Sequence, residues 1–270
     1  MSAVDTGDDS LLARVEGAVG TITFSRPERR NALTPGMLVA LHLTLARWAE
    51  AGDVRVVVLE GAGDRAFSAG YDVRAIPTSP GPEIEKALRE SNPLELGLAA
   101  VRSFPYPVIA SVRGACFGAA LNVAMCCDIR LGAEDVAIGM PPARLGLVYP
   151  AAGVAQFVAV LGTARAREVF FTARTYRARE ALDMGLVDHL FATDALAAAT
   201  AQMAAEIAAN APLALRGLKR VLGLLADATV LSPAARTEAD ALVAASFSSA
   251  DAVEGQMAFL EKRAPKFTGR

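Results

Sequence analysis

The run from residue 107 to residue 153, PVIASVRGACFGAALNVAMCCDIRLGAEDVAIGMPPARLGLVYPAAG, constrains this chain more than any other. Residues 107–112 are β-branched or apolar and bounded by turn signals, which predicts a buried strand. Residues 113–120 then hold two glycines and three alanines, so backbone there can approach a neighbour or a ligand closely. An apolar helix predicted over 119–126 leaves that turn, and a second strand over 128–132 follows at once. The first-turn N–H groups of such a helix have no partner within it and carry the positive end of its dipole. Strand, tight turn and helix N-terminus together make a cradle for negative charge, either phosphate or oxyanion. The same residues also suit plain close packing of a helix on a strand in an α/β core.

Taken in order, the rest of the chain fits an α/β body with a helical tail. Residues 11–16 and 19–24 predict a hairpin around Gly17 and Ala18. A loop with Arg26, Arg29 and Arg30 follows, then Thr34 and Pro35 as the cap and first residue of a helix to about residue 51. Residues 54–59 read as a strand covered on both faces. Gly61, Gly63 and Ala66 match a dinucleotide-binding fingerprint, but no helix signal and no correctly spaced acid follow, so the fingerprint is rejected. Residues 79–81 look like a mobile surface segment, and 83–103 a broken helical stretch. Helical patterns cover 154–161, 163–172 and 178–184, and a last strand covers 186–191. Four helices are predicted over 193–210, 212–226, 233–247 and 251–263. This divides the chain into a flexible N-terminus (1–10), a core (11–195) and a helical region (196–270).

The balance of 27 basic against 29 acidic residues, with no long basic run, argues against nucleic acid as a partner. Charged residues interrupt every apolar run before it could cross a bilayer, and the acidic start lacks the pattern of a signal peptide. Two histidines and three cysteines without a CxxC offer no zinc site; buried thiols in a reducing cytoplasm are expected.

The motifs RPERRNAL, AFSAGYD, PVIASVRGACFGAALNVAMCCDIRLG, PPARLGLVYPAAG and FLEKRAPKF, in this order over about residues 11–270, resemble the crotonase superfamily, also called the enoyl-CoA hydratase/isomerase family. The resemblance implies a spiral of ββα units with an α-helical C-terminal domain, assembled as a homotrimer or a dimer of trimers. It implies an acyl-CoA thioester as substrate, with no cofactor beyond that coenzyme A moiety and no metal. It also implies stabilisation of a thioester enolate by two backbone N–H groups, those of Tyr71 and Ala119. Arg26, Arg29 and Arg30, with Lys262, Arg263 or Lys266 from the tail, are implied to face the phosphates. Backbone around Ser68, Ala69 and Gly70 is implied to hold the adenine and pantetheine.

Two positions depart from the hydratase pattern. Where hydratases carry two glutamates, this chain has Asn122 and Pro142, and neither exchanges protons near neutral pH. Tyr149 stands where many hydratases have a proline, and its segment resembles the methylmalonyl-CoA decarboxylase branch, although that branch has histidine at the place of Tyr71. Losing CO2 generates an enolate without a base, and acidic side chains would repel a substrate carboxylate. Three functions follow as expectations: a lyase of decarboxylase type using Tyr149, an isomerase or hydratase with displaced acid–base groups such as Glu95, or a silent acyl-CoA binder. Asp72 is expected to brace its loop, Cys116 to line the acyl pocket, and His189 to be structural.

Overall fold

The structure is a computed structural model and describes residues 2–72, 92–227 and 233–266. The expected mobile segment at 79–81 and the first part of the stretch at 83–103 lie outside the described residues.

The predicted hairpin forms as β2 (Leu11–Glu16) and β3 (Val19–Phe24), paired antiparallel from Leu11↔Phe24 to Glu16↔Val19. Helix α1 (Pro35–Ala51) starts where Thr34 Oγ1 accepts the Met37 N–H at 3.1 Å and ends at Gly52, whose φ of +73° suits only glycine well. Its buried stripe is Met37, Leu38, Leu41, Leu45 and Trp48, the spacing of a helix with one face on the core.

Three successive units then repeat one plan. β4 (Val56–Gly61), β5 (Ala66–Ser68) and α2 (Pro93–Ser103) form the first. β6 (Val108–Val112), β7 (Ala115–Phe117) and α3 (Ala119–Cys126) form the second. β8 (Ile129–Ala133), β9 (Ala137–Gly139) and α4 (Ala151–Thr172) form the third. The first strand of each unit enters a seven-stranded sheet, and the second enters a four-stranded sheet. Within both sheets these neighbours pair parallel. This is the expected ββα spiral. β10 (Thr175–Arg177) closes the small sheet antiparallel to β9, and after α5 (Ala178–Asp183) β11 (His189–Phe191) joins β8 in parallel.

One layer of the core lies between the sheets and helices, around Phe24, Leu33, Leu59, Phe67 and Phe157, all fully buried. The other face of the large sheet is covered by α6 (Leu196–Ala208), whose Leu196 and Ala204 meet Val56, Val58, Ile109 and Leu131. Helices α7 (Pro212–Asp227), α8 (Pro233–Phe247) and α9 (Ala250–Glu261) complete the chain. Lys219 anchors α7 through its ammonium, which donates to Asp128 Oδ2 at 2.7 Å and to Tyr106 O at 2.9 Å.

Two expectations are corrected here. The N-terminal residues are not free: β1 (Ser2–Val4) pairs antiparallel with β2, because an edge ladder needs only backbone groups. The turn at 113–120 contains the strand β7. The two helices expected at 154–161 and 163–172 are both present within α4, separated at Gly162, whose φ of 73° and ψ of 161° are not helical.

Candidate active site

The loop after β5 and the turn after β7 abut at the ends of two neighbouring strands of the small sheet. A Cβ on Gly70 would lie 2.5 Å from Phe117 O and 3.7 Å from Ala119 N, so only glycine permits this approach. Gly70 has φ +98°, and Gly118 has φ +55° with ψ −120°, both outside the range of ordinary side chains. The loop is tied to the segment before α1: Leu33 N–H donates to Gly70 O at 2.8 Å and Asp72 N–H to Leu33 O at 2.9 Å. Those bonds leave the Tyr71 N–H without an acceptor among the described residues. The Ala119 N–H, first in α3, likewise has none. The structure thus brings the two expected amides to adjoining positions, neither with an acceptor among the described residues.

Asn31 organises this loop, and sequence reasoning passed over it. It is fully buried, its Nδ2 donates to Ala62 O at 2.9 Å and Ala66 O at 2.8 Å, and its Oδ1 accepts the Arg26 N–H at 3.0 Å. The signal was an asparagine held at positive φ (56°) behind a run of arginines, where a local side-chain bond replaces a backbone one. Arg26, which the resemblance implies to face the phosphates, has partners within the protein. Its Nη1 donates to Ala32 O at 2.8 Å and meets Asp72 Oδ2 at 3.3 Å, so it braces the loop. Asp72 takes the bracing part expected of it. Partial burial, then the Asp72 carboxylate, push the Tyr71 phenol above its ordinary value. Arg29, Arg30 and Ala69 are exposed, while Ser68 is buried with its Oγ accepting the Gly70 N–H at 3.2 Å.

Asn122 lies three residues after Ala119 on α3, hence on the same face, and is fully buried. A Cβ on Gly153 would stand 2.4 Å from Tyr149 Cε1 and 2.7 Å from Asn122 Oδ1. The phenol ring and the carboxamide therefore meet over Gly153, at the start of α4. Asn122 Oδ1 and the Tyr149 hydroxyl are both buried with no hydrogen-bond partner among the described residues, and such atoms are costly unless something fills the need. Tyr149 packs on Phe170, with ring centroids 5.9 Å apart. Burial, then the nearby Cys126, raise its phenol well above the usual range, which keeps it an O–H donor.

Pro142 starts a tight turn (Pro142–Leu145) capped by Gly146. That turn packs on α9: a Cβ on Gly255 would reach Leu145 O at 2.5 Å, and one on Gly146 would reach Asp251 O at 2.5 Å. Lys262 and Lys266 are exposed at the far end of α9, where Arg263 pairs with Glu254 and Glu261 and the Lys266 N–H donates to Glu254 Oε1 at 2.7 Å. Cys116 is fully buried and burial raises its thiol, which removes nucleophilic character. His189 is exposed on β11 and stacks loosely on Phe191. No group of three metal-binding side chains occurs among the described residues, and none of the described helices is long and apolar enough to cross a membrane.

The sequence model of the enoyl-CoA hydratase/isomerase family matches residues 14–270. The chain belongs to the enoyl-CoA hydratase/isomerase family. A relative in Bacillus subtilis (strain 168), named "Probable enoyl-CoA hydratase", is 35% identical over 263 residues, covering 97% of this chain and 99% of its own. Among solved structures, methylmalonyl-CoA decarboxylase in complex with 2-nitronate-propionyl-CoA is similar with a TM-score of 0.88 and 28% identity. That match covers 97% of this chain and 99% of the other. An enoyl-CoA hydratase/carnithine racemase from Magnetospirillum magneticum has a TM-score of 0.77 and 34% identity, with 97% of each chain covered. Members of this family are acyl-CoA-processing enzymes, and the mixed α/β spiral described above is their crotonase fold.

Proposed function

We propose that this protein is an acyl-CoA lyase that releases CO2 from a 2-carboxyacyl-CoA by way of a thioester enolate. One observation carries the reading. Beside two free amides, at Tyr71 and Ala119, the interior of the site presents a neutral carboxamide and a protonated phenol in place of carboxylates. In the reaction the bond from Cα to the carboxylate breaks, its electron pair moves into the thioester, and CO2 departs. The thioester oxygen becomes negative and is met by the two N–H donors. Removing one such donor typically costs about 10²–10³ in rate. Water then supplies the proton taken up at Cα. Tyr149 contributes by donating to the departing carboxylate and holding its bond out of the enolate plane.

Asn122 and Pro142 stand at the positions of the hydratase glutamates in the resemblance, and a missing general base removes about 10²–10⁴-fold. Hydration is therefore expected to be poor. Coenzyme A lies along the exposed Arg29, Arg30 and Ala69 backbone, with Lys262 and Lys266 reaching its phosphates and no further cofactor required. The cytoplasm, where thiols stay reduced, suits Cys116, Cys126 and Cys127, all free and buried.

Incubation of the protein with 2-enoyl- and malonyl-type acyl-CoAs in heavy water, read by mass spectrometry, tests the reading. CO2 loss with one deuterium gained at Cα is the expected result. Water addition to an enoyl-CoA, deuterium exchange alone, or no reaction with binding intact would replace the lyase by a hydratase, an isomerase or a binder, respectively.

A further inference from the structure

The direction in which the Tyr71 N–H points is set by a bond at the far side of its own peptide plane. In a trans peptide the carbonyl and the N–H point in opposite directions. The carbonyl that shares a plane with the Tyr71 N–H is that of Gly70, which accepts the Leu33 N–H at 2.8 Å. The Tyr71 N–H is thereby turned away from Leu33. On either side of it, the Ala69 N–H donates to Arg30 O at 2.8 Å and the Asp72 N–H to Leu33 O at 2.9 Å. Residues 30–33 are a template for residues 69–72, and whatever fixes the template fixes the amide.

Asn31 fixes the template. It is fully buried and forms, with Arg30, a pair of successive non-glycine residues at positive φ, 50° and 56°. Residues with a side chain adopt that conformation at a cost, and asparagine tolerates it by bonding locally. Here the local bonds close the turn twice. The Asn31 N–H donates to Arg26 O at 2.8 Å, and Asn31 Oδ1 accepts the Arg26 N–H at 3.0 Å. Asn31 Nδ2 then crosses to Ala62 O at 2.9 Å and Ala66 O at 2.8 Å, just past the end of β4 and at the start of β5. Gly61 makes room for the crossing, since a Cβ there would stand 2.8 Å from Asn31 Nδ2 and 2.3 Å from Ala66 O. One carboxamide therefore ties the arginine turn to the strand that leads into the Tyr71 loop.

We propose that Asn31 is a positioning residue: by locking residues 26–33 to the entry of β5, it aims the Tyr71 N–H at the thioester oxygen. It acts through Leu33 and Gly70 and touches no substrate. The proposal rests on the enolate reading above for what the amide meets, and it does not depend on the departure of CO2.

Difference infrared spectroscopy of propionyl-CoA, labelled with 13C at the thioester carbonyl and bound at saturation to the full chain, provides the test. This thioester has no carboxylate to lose, so the spectrum needs no turnover. Wild type is expected to move the carbonyl stretch to lower frequency than in free ligand, as donors aimed at the oxygen polarise the bond. Asn31→Gly permits the left-handed backbone, and Asn31→Asp keeps an acceptor for the Arg26 N–H. Each is expected to lose at least half of the wild-type shift. Leu45→Ala, a core truncation on α1 that leaves these bonds in place, is expected to lower the melting temperature and keep the shift. A full shift in either Asn31 variant, or an equal loss in Leu45→Ala, overturns the proposal. If one Asn31 variant fails to bind propionyl-CoA, the other decides; failure of both makes Asn31 a residue of the fold alone and also overturns it. No shift in wild type overturns the enolate reading and the proposal with it. A shift that depends on Asn31, in a protein that releases no CO2 from a 2-carboxyacyl-CoA, overturns the lyase reading and leaves Asn31 in its role.

Discussion

At the scale of single residues, the two buried polar groups at Gly153 and the buried asparagine behind the Tyr71 loop make opposite predictions. Tyr149 O–H has no partner among the described residues, so removing it frees the fold of an unmet donor. Tyr149→Phe is expected to leave thermal stability unchanged to within about 0.5 kcal/mol, while CO2 release falls about 10²-fold. A large loss of melting temperature would make Tyr149 structural instead. Asn31 is the reverse case. It is fully satisfied by three bonds that hold Ala62, Ala66 and Arg26 together. Asn31→Ala strands those groups and is expected to cost about 2–4 kcal/mol in urea denaturation, the range for breaking a buried polar network. A loss under about 1 kcal/mol would show that water replaces the side chain without cost.

At the scale of elements, the turn carrying Pro142 is held by a helix far away in sequence. Gly146 and Gly255 let backbone lie on backbone there, and any Cβ at 255 collides with Leu145. Gly255→Val is expected to destabilise the protein by about 1–3 kcal/mol, the usual cost of overpacking. It is also expected to raise KM for the acyl-CoA by loosening the segment that leads to Tyr149. Unchanged kinetics in a folded Gly255→Val protein would separate α9 from the site. Element scale is also where sequence and structure diverge most. The strands 11–16, 19–24 and 108–112 and helix 119–126 were legible because long apolar or alternating patterns announce them. Ala66–Ser68, Ala115–Phe117, Ala137–Gly139 and Thr175–Arg177 were not, since three residues carry no period and each lies among glycines or charges. Their strand character comes from pairing with one another, which is a property of the closed spiral. For the same reason the two amides at Tyr71 and Ala119 could be named only through resemblance. The meeting of Asn122 with Tyr149 depends on Gly153, which no spacing rule connects to either.

For the whole molecule, the tail leaves a surface that one chain does not cover. On α7, Leu218, Val221, Leu222 and Leu225, spaced to share one face of the helix, are exposed by 61%, 54%, 65% and 67%. A contiguous apolar face of this kind marks a protein contact. We expect it to join copies of the chain as a trimer or a pair of trimers. Sedimentation of the double variant Leu222→Asp, Leu225→Asp should then give a lighter species than wild type, and identical sedimentation would place the contact elsewhere. The spiral has a further consequence for how such a protein can change over time. Tyr71 and Ala119 hang from the ends of β5 and β7, which are adjacent strands of one sheet. The spacing of those strands is set by the pitch of a hydrogen-bonded ladder, about 4.8 Å, while Asn31, Arg26 and Asp72 brace the loop that carries Tyr71. Side chains around the mouth can be exchanged, acid for amide or proline, without recalibrating that ladder, so the scaffold keeps two backbone amides side by side while the chemistry around them is free to drift.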